Sequence, residues 1–334
     1  MKRTLGLTLL LFATLFSCMR QEKPLPAELS RAESVMWEHP DSALSILRSM
    51  PQSSLSIGKN YATWALLLAQ ARDKVYGKRL PDSLNIPSSD KLVQDAMDYF
   101  EKEGDLKRMA QTYYYKGQLL KDQKKITEAM PFFLKSKEMM TKLDEPLFTY
   151  LICQSLGNMY RYQDLYEESL VQLKDAYQYA LRSGNGERIS YALSELGRTY
   201  VHKNEMDSAL FYFGKSLDNA QRLGNIELEA MAMGELGVVY NKLSQGEKAL
   251  HYTRKELDLC LQISSLHKLP QVYYKIGSAF WSLGQLDSAK VYFQKSLETD
   301  NLYTLNEAYE VLYYICVEQK LYKEAIEYNN QYLI

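Results

Sequence analysis

ISYALSELGRTYVHKNEMDSALFYFGKSLDNAQRLGN, residues 189–225, decides the fold class of this chain. Apolar residues at 189, 193, 196 and 200 recur at helical spacing. A polar break follows at Lys203, Asn204 and Glu205, and Met206 to Leu223 resumes the helical pattern through Leu210, Phe213 and Leu217. Gly224-Asn225 ends it, glycine being the usual residue just past a helix C-terminus. The stretch predicts two helices joined by a short turn. No period-two run of useful length predicts a strand.

The pattern recurs. Gly117, Gly157, Gly197, Gly237 and Gly277 stand forty residues apart. Three residues after them come Leu120, Tyr160, Tyr200, Tyr240 and Phe280. Twelve after come Ala129, Ser169, Ala209, Ala249 and Ala289, and sixteen after come Phe133, Leu173, Phe213, Thr253 and Phe293. The terminating slot holds Gly104, Asp144, Gly184, Gly224 and Ser264 at the same stride. A glycine inside a helix costs about 1 kcal/mol relative to alanine, so its recurrence calls for a close approach. The small residue twelve positions on is expected to face it, with the residues at +3 and +16 filling the space beside that contact.

These residues resemble the tetratricopeptide repeat family: Leu196-Gly197, Tyr200, Ala209 and Phe213 match its leucine-glycine, tyrosine, alanine and phenylalanine offsets. The resemblance covers roughly residues 108–300. It implies an all-α, right-handed solenoid of antiparallel helical hairpins, with helices lengthened to carry forty residues per repeat rather than the family's usual 34 or so. Tyr313, Cys316 and Ala325 continue the offsets with the step shortened to 36 and the glycine lost. The domain reading is 27–107 as degenerate N-terminal hairpins, 108–300 as five repeats, and 301–334 as a partial repeat. Asn60 to Tyr76 and Asp90 to Glu103 form one of the early hairpins, separated by a loop containing Pro81 and Pro87.

Residues 1–17 read as a secretory signal: Lys2 and Arg3, then an apolar run from Leu5 to Phe16 too short to span a bilayer comfortably. Cys18 after Ser17 resembles the processing site of a bacterial, Bacteroidetes-like lipoprotein. That resemblance implies palmitate-type acylation of Cys18 and membrane anchoring through several acyl chains, with 18–26 as a tether. A cleaved soluble-secretion signal and an uncleaved anchor are the alternatives. The expected location is the cell envelope, facing the periplasm.

Forty basic against 41 acidic residues, or 38 against 41 without Lys2 and Arg3, leave no electrostatic footprint for nucleic acid. Cys153, Cys260 and Cys316 fall at apolar helical positions and read as small hydrophobes. The four histidines form no metal-ligand spacing, and no phosphate loop or nucleophile elbow is present. Acidic residues such as Glu167, Asp207, Glu247 and Asp287 start second helices, where negative charge suits the helix dipole. No catalytic residue, metal or cofactor is expected, and the residues assign no oligomeric state.

In the family, first helices line the concave face, which implies a partner groove here. Its candidate residues are Tyr114, Gln118, Asn158, Arg161, Arg198, His202, Tyr274 and Trp281. Amides, hydroxyls, aromatics and cations suit a protein or peptide partner. The leading expectation is a lipid-anchored envelope scaffold. Its alternative is the sensory input region of a membrane-bound regulator, motivated by the uncapped ending at Tyr332, Leu333 and Ile334. A third reading is an assembly subunit that uses its second helices.

Overall fold

A computed structural model describes residues 25–51, 55, 58–76, 88–299 and 301–332. Cys18, the signal sequence, Pro81, Pro87, Leu333 and Ile334 lie outside the described residues. Among the described residues there are sixteen α-helices and no strand, the helical architecture expected from the repeat.

The chain divides into two compact units, residues 1–132 and 133–334. The first holds α1 (Ala27–Val35), α2 (Pro40–Ser49), α3 (Lys59–Tyr76), α4 (Ser89–Glu103), α5 (Leu106–Asp122) and the start of α6 (Ile126–Lys142). Its central helix is α3, buried without interruption from Ala62 to Arg72, with Thr63, Gln70 and Arg72 among the buried residues. The Trp64 indole N–H donates to the Leu47 carbonyl at 2.8 Å and so ties α3 to α2. The Tyr113 hydroxyl donates to Glu101 at 2.7 Å; burial first, then that bond, pushes its pKa up to about 12.

The second unit continues with α7 (Pro146–Tyr162), α8 (Tyr166–Ser183), α9 (Gly186–His202), α10 (Met206–Leu223), α11 (Ile226–Lys242) and α12 (Gly246–Gln262). One turn of 3₁₀ helix, Leu266–Lys268, precedes α13 (Leu269–Ser282). Then follow α14 (Leu286–Ser296), α15 (Leu302–Glu318) and α16 (Tyr322–Tyr332). Each odd-numbered helix from α7 packs against the even-numbered helix after it, and the first helices of successive hairpins also touch.

Turn chemistry repeats at both ends of the hairpin. Gly104, Asp144, Gly184, Gly224 and Ser264, the terminating slot read from sequence, all have positive φ. A second such slot was not foreseen: Lys124, Asp164, Asn204, Ser244 and Gly284 are also left-handed, seven residues after each repeat glycine. There the next amide N–H reaches back to the carbonyl of the +3 residue, as Leu165 does to Tyr160 at 3.0 Å and Glu205 to Tyr200 at 2.9 Å. That bond satisfies a helix-end carbonyl and stops the first helix. The Asn185 and Asn225 side chains then cap α9 and α11 by accepting the amide N–H groups of Arg188 and Leu228.

The repeat glycine does face the second helix, but its cover differs from the expectation. It is the side chain at +16, not the small residue at +12, that lies over it. A Cβ on Gly197 would stand 2.6–2.8 Å from the Phe213 ring, and one on Gly157 2.5–2.7 Å from Leu173. The +12 residue contributes its backbone: the Ser169 carbonyl would be 3.3 Å from the Gly157 Cβ, and that of Ala249 3.4 Å from the Gly237 Cβ. Its small, fully buried side chain lets that backbone come near. The +3 ring then stacks on the ring at +15, Tyr200 on Tyr212 at 5.3 Å and 9° and Tyr240 on Tyr252 at 5.2 Å and 10°. Cys153, Cys260 and Cys316 are free and buried, and burial pushes the Cys153 thiol up to about 11.

The two glycines of this hairpin separate packing from propensity. Gly214, also helical, meets nothing within 4 Å at its Cβ position. Gly197→Ala should cost about 1–3 kcal/mol through overpacking, whereas Gly214→Ala should gain up to about 1 kcal/mol through helix propensity. Urea unfolding midpoints check this; equal shifts for both variants would refute the close-approach account.

Candidate functional site

The first-helix face of the second unit is crossed by a series of ion pairs. Arg161 on α7 stands 2.8 Å from Glu195 Oε2 on α9. Arg198, one turn along α9, reaches Glu195 Oε1 at 2.8 Å and Glu235 on α11 at 2.5 Å. Lys275 on α13 pairs with Glu256 on α12 at 2.7 Å, and Lys268 with Glu227 on α11 at 2.6 Å. Adjacent first helices bring residues 161 and 195, and 198 and 235, together, and the 3₁₀ turn before α13 brings 268 to 227, because each pair is about one repeat apart in sequence.

Glu256 occupies an unusual place. The equivalent residues of other repeats are Ser136, Ala176, Ser216 and Ser296, all fully buried and small. The α12 glutamate fits because residue 234 on the facing helix is a glycine; a Cβ there would collide with the Glu256 carboxylate. Glu256 is 6 % exposed. Its Oε1 takes the Lys275 bond, while Oε2 has no hydrogen-bond partner. Burial, more than any neighbouring charge, raises its carboxyl above the ordinary 4.5; Lys275 opposes the rise and Glu235 adds to it.

Beside this carboxylate lies a recess of about 340 Å³. Tyr191 and Arg198 of α9, Met231 and Glu235 of α11, and Val272 and Lys275 of α13 form much of its wall. Tyr191 is 41 % exposed at its edge. A smaller hollow of about 190 Å³ adjoins it, bounded by Asn241, Lys242, Tyr274 and Ser278. The Cys260 thiol at the recess wall is raised above its ordinary 9.0, chiefly by burial, and so stays protonated.

The eight groove residues expected from sequence separate under this geometry. Arg198 lines the recess and Tyr274 the adjoining hollow. Burial first, then Glu307, raises the Tyr274 hydroxyl. Trp281 is 40 % exposed on α13, and His202 is exposed and stacks on Tyr166. Asn158 is half-buried, its Oδ1 without a partner. Two are corrections. Arg161 is 8 % exposed, because it turns inward to the Glu195 carboxylate and carbonyl and to Thr199. Tyr114, in the first unit, is 5 % exposed, and its hydroxyl accepts from Gln118, itself half-buried and bonded to Lys121. Glu195, Glu235, Glu256 and Lys275 were missed. The signal for Glu256 was a charge in an otherwise small-residue column, visible only once that column is aligned.

Among the described residues, no group of three His, Cys, Asp or Glu side chains is placed to hold a metal, and no helix is long and apolar enough to cross a membrane.

The fold and site define an α-helical repeat array with a polar recess on its first-helix face. Residues 110–139 and 270–301 match the family model described as tetratricopeptide repeat. No curated protein matches it. Its fold is similar to a Signal Transduction ATPase with Numerous Domains protein with a tetratricopeptide repeat sensor from Pyrococcus horikoshii, at 15 % identity and a TM-score of 0.70. That match covers 92 % of this chain, which spans only 46 % of the Pyrococcus protein. It is also similar to the apo form of RapI, at 15 % identity and TM-score 0.68 over 90 % of this chain and 85 % of that one. A Rap protein complexed with Competence and Sporulation Factor matches at 12 % identity and TM-score 0.63, over 92 % and 95 %.

Glu195→Ala should take the carboxylate from the buried Arg161 and cost roughly 3–5 kcal/mol, as breaking a buried pair does, while Arg198 keeps Glu235. Lys142→Ala, which breaks the exposed Lys142–Glu138 pair, should leave the unfolding midpoint unchanged. The raised Glu256 pKa means that the folded protein holds this proton more tightly than the unfolded chain. Its contribution is complete below the ordinary 4.5 and is lost as pH rises through the folded value. Glu256→Gln removes that loss. The variant should unfold at a higher temperature than wild type at pH 8, and the gap should close toward pH 4.5. A gap independent of pH would contradict the assignment.

Proposed function

We propose that this protein is a non-catalytic scaffold of the cell envelope, anchored through acylated Cys18, which holds a protein or peptide on its first-helix face. The observation that carries the binding reading is the 340 Å³ recess, where neighbouring repeats converge beside the exposed Tyr191 ring. A concave hollow with an aromatic at its edge is a usual setting for a binding anchor. The similar Rap structure with a bound Competence and Sporulation Factor supports the reading by analogy of fold. The recess cations are spent on carboxylates and its thiol is held protonated, which supports a binding rather than a chemical role. The envelope reading rests on the basic start, the apolar run and Ser17-Cys18.

A second reading, the sensory region of a membrane-bound regulator, is favoured by apolar surface on the last described hairpin. Leu302 is 73 % exposed and Ile326 60 %, on helices of the kind that repeat arrays cover with a further element. A membrane helix encoded after codon 334 supports that reading, and a stop codon there removes it.

Two measurements test the scaffold. Cys18→Ser should abolish incorporation of labelled palmitate and move the protein from the membrane to the soluble fraction; a variant that still takes up label would end the anchor proposal. Tyr191→Ala combined with Trp281→Ala should weaken capture of an envelope partner at least tenfold. Undiminished capture would place the binding surface elsewhere.

A further inference from the structure

The unpartnered oxygen of Glu256 indicates what the recess takes. An ionised carboxylate buried to this degree, with one oxygen unserved, is a costly arrangement. The neighbouring cations do not relieve it. Arg198 is held between Glu195 and Glu235, Lys268 lies on Glu227, and Lys275 already serves the other Glu256 oxygen. The unmet demand is therefore for a hydrogen-bond donor. A ligand carboxylate would instead meet Glu227, Glu235 and Glu256 along one wall. The recess volume of about 340 Å³ falls at the small end of ligand sites, a size for one long side chain rather than a whole cofactor. Tyr191, Met231 and Val272 supply apolar and aromatic surface for the stem of such a side chain.

We infer that the recess is a subsite for a lysine or arginine side chain of a bound peptide, with Glu256 receiving its N–H donors and Glu235 standing beside it. This rests on the reading that the first-helix face binds peptides. Charge-assisted bonds of this kind supply specificity, because a peptide without the basic side chain leaves the buried carboxylate unserved. Room for the carboxylate comes from Gly234, the one small enough residue at a position that holds Tyr114, Gln154, Ser194 and Tyr274 in the other repeats.

The test is selection of a phage-displayed random dodecapeptide library on the immobilised full-length chain, followed by affinity measurement on synthetic copies of the enriched peptides. Enriched peptides should share a lysine or arginine at one position, and norleucine there should weaken binding to wild type at least tenfold. Glu256→Gln keeps an oxygen for Lys275 and puts an amide donor where Oε2 was. It should bind the parent peptide at least tenfold more weakly and be indifferent to the norleucine change. Lys275→Met is the companion variant, to be read if Glu256→Gln fails to fold. It frees both oxygens and should bind the basic peptide as tightly as wild type or tighter; weaker binding counts against the subsite. Peptides that lack a shared basic residue, or that bind wild type and Glu256→Gln alike, overturn the subsite while leaving the groove standing, provided Tyr191→Ala still weakens them. Peptides indifferent to Tyr191→Ala as well, or no enrichment at all, overturn the groove reading and the subsite together.

Discussion

The contact between a glycine on one helix and the side chain sixteen residues later on its partner sets the geometry of the second unit. At Gly157 and Gly197 a single added carbon would stand inside the van der Waals surface of Leu173 or Phe213. The helices are therefore as close as their backbones permit, and the carbonyl at +12 reaches the same spot at Gly157 and Gly237. Glycine costs helix propensity, but the contact places a large apolar side chain in a fully buried slot. Stacked ring pairs at +3 and +15 close the space beside it. Because the unit recurs at constant stride, each hairpin repeats the same interaction with its own partner and adds a similar interface with the next.

That spacing also brings successive first helices side by side, which determines where charge can go. Arg161, Glu195, Arg198 and Glu235 join α7, α9 and α11 in one continuous network. Buried pairs of this kind are weak sources of net stability, since desolvation consumes much of their attraction. Their consequence is registry. Each cross-helix link joins residues about one repeat apart, so a hairpin that slipped against its neighbour would strand a charge. Arg161, which the groove reading placed outward, is spent on this internal link.

A separate pair joins α12 to α13, where Glu256 stands in a column of serines and alanine and Gly234 yields the room. This exchange of size between two facing helices creates the polar wall of the recess. One oxygen is satisfied by Lys275 and the other is not, a local departure from the consistency of the surrounding repeats. Departures of that kind are where a repeat scaffold acquires an individual property, since the repeats themselves specify only architecture.

The hairpin pattern, the stride of forty, the terminating slot and the burial of the +16 residues were all legible in the residues, because periodicity and turn chemistry are local and recur. The left-handed slot at Lys124, Asp164, Asn204 and Ser244 was not, since only Gly284 carries the glycine that marks such a turn. Which side chain covers the repeat glycine was also hidden, because +12 and +16 lie one turn apart on the same helix face. The fates of Arg161 and Glu256 were decided by residues about one repeat away or on the facing helix. Sequence determined that hairpins stack; only the tertiary structure decided which polar groups face one another across the stack, because burial and charge pairing depend on neighbours that helical periodicity does not name.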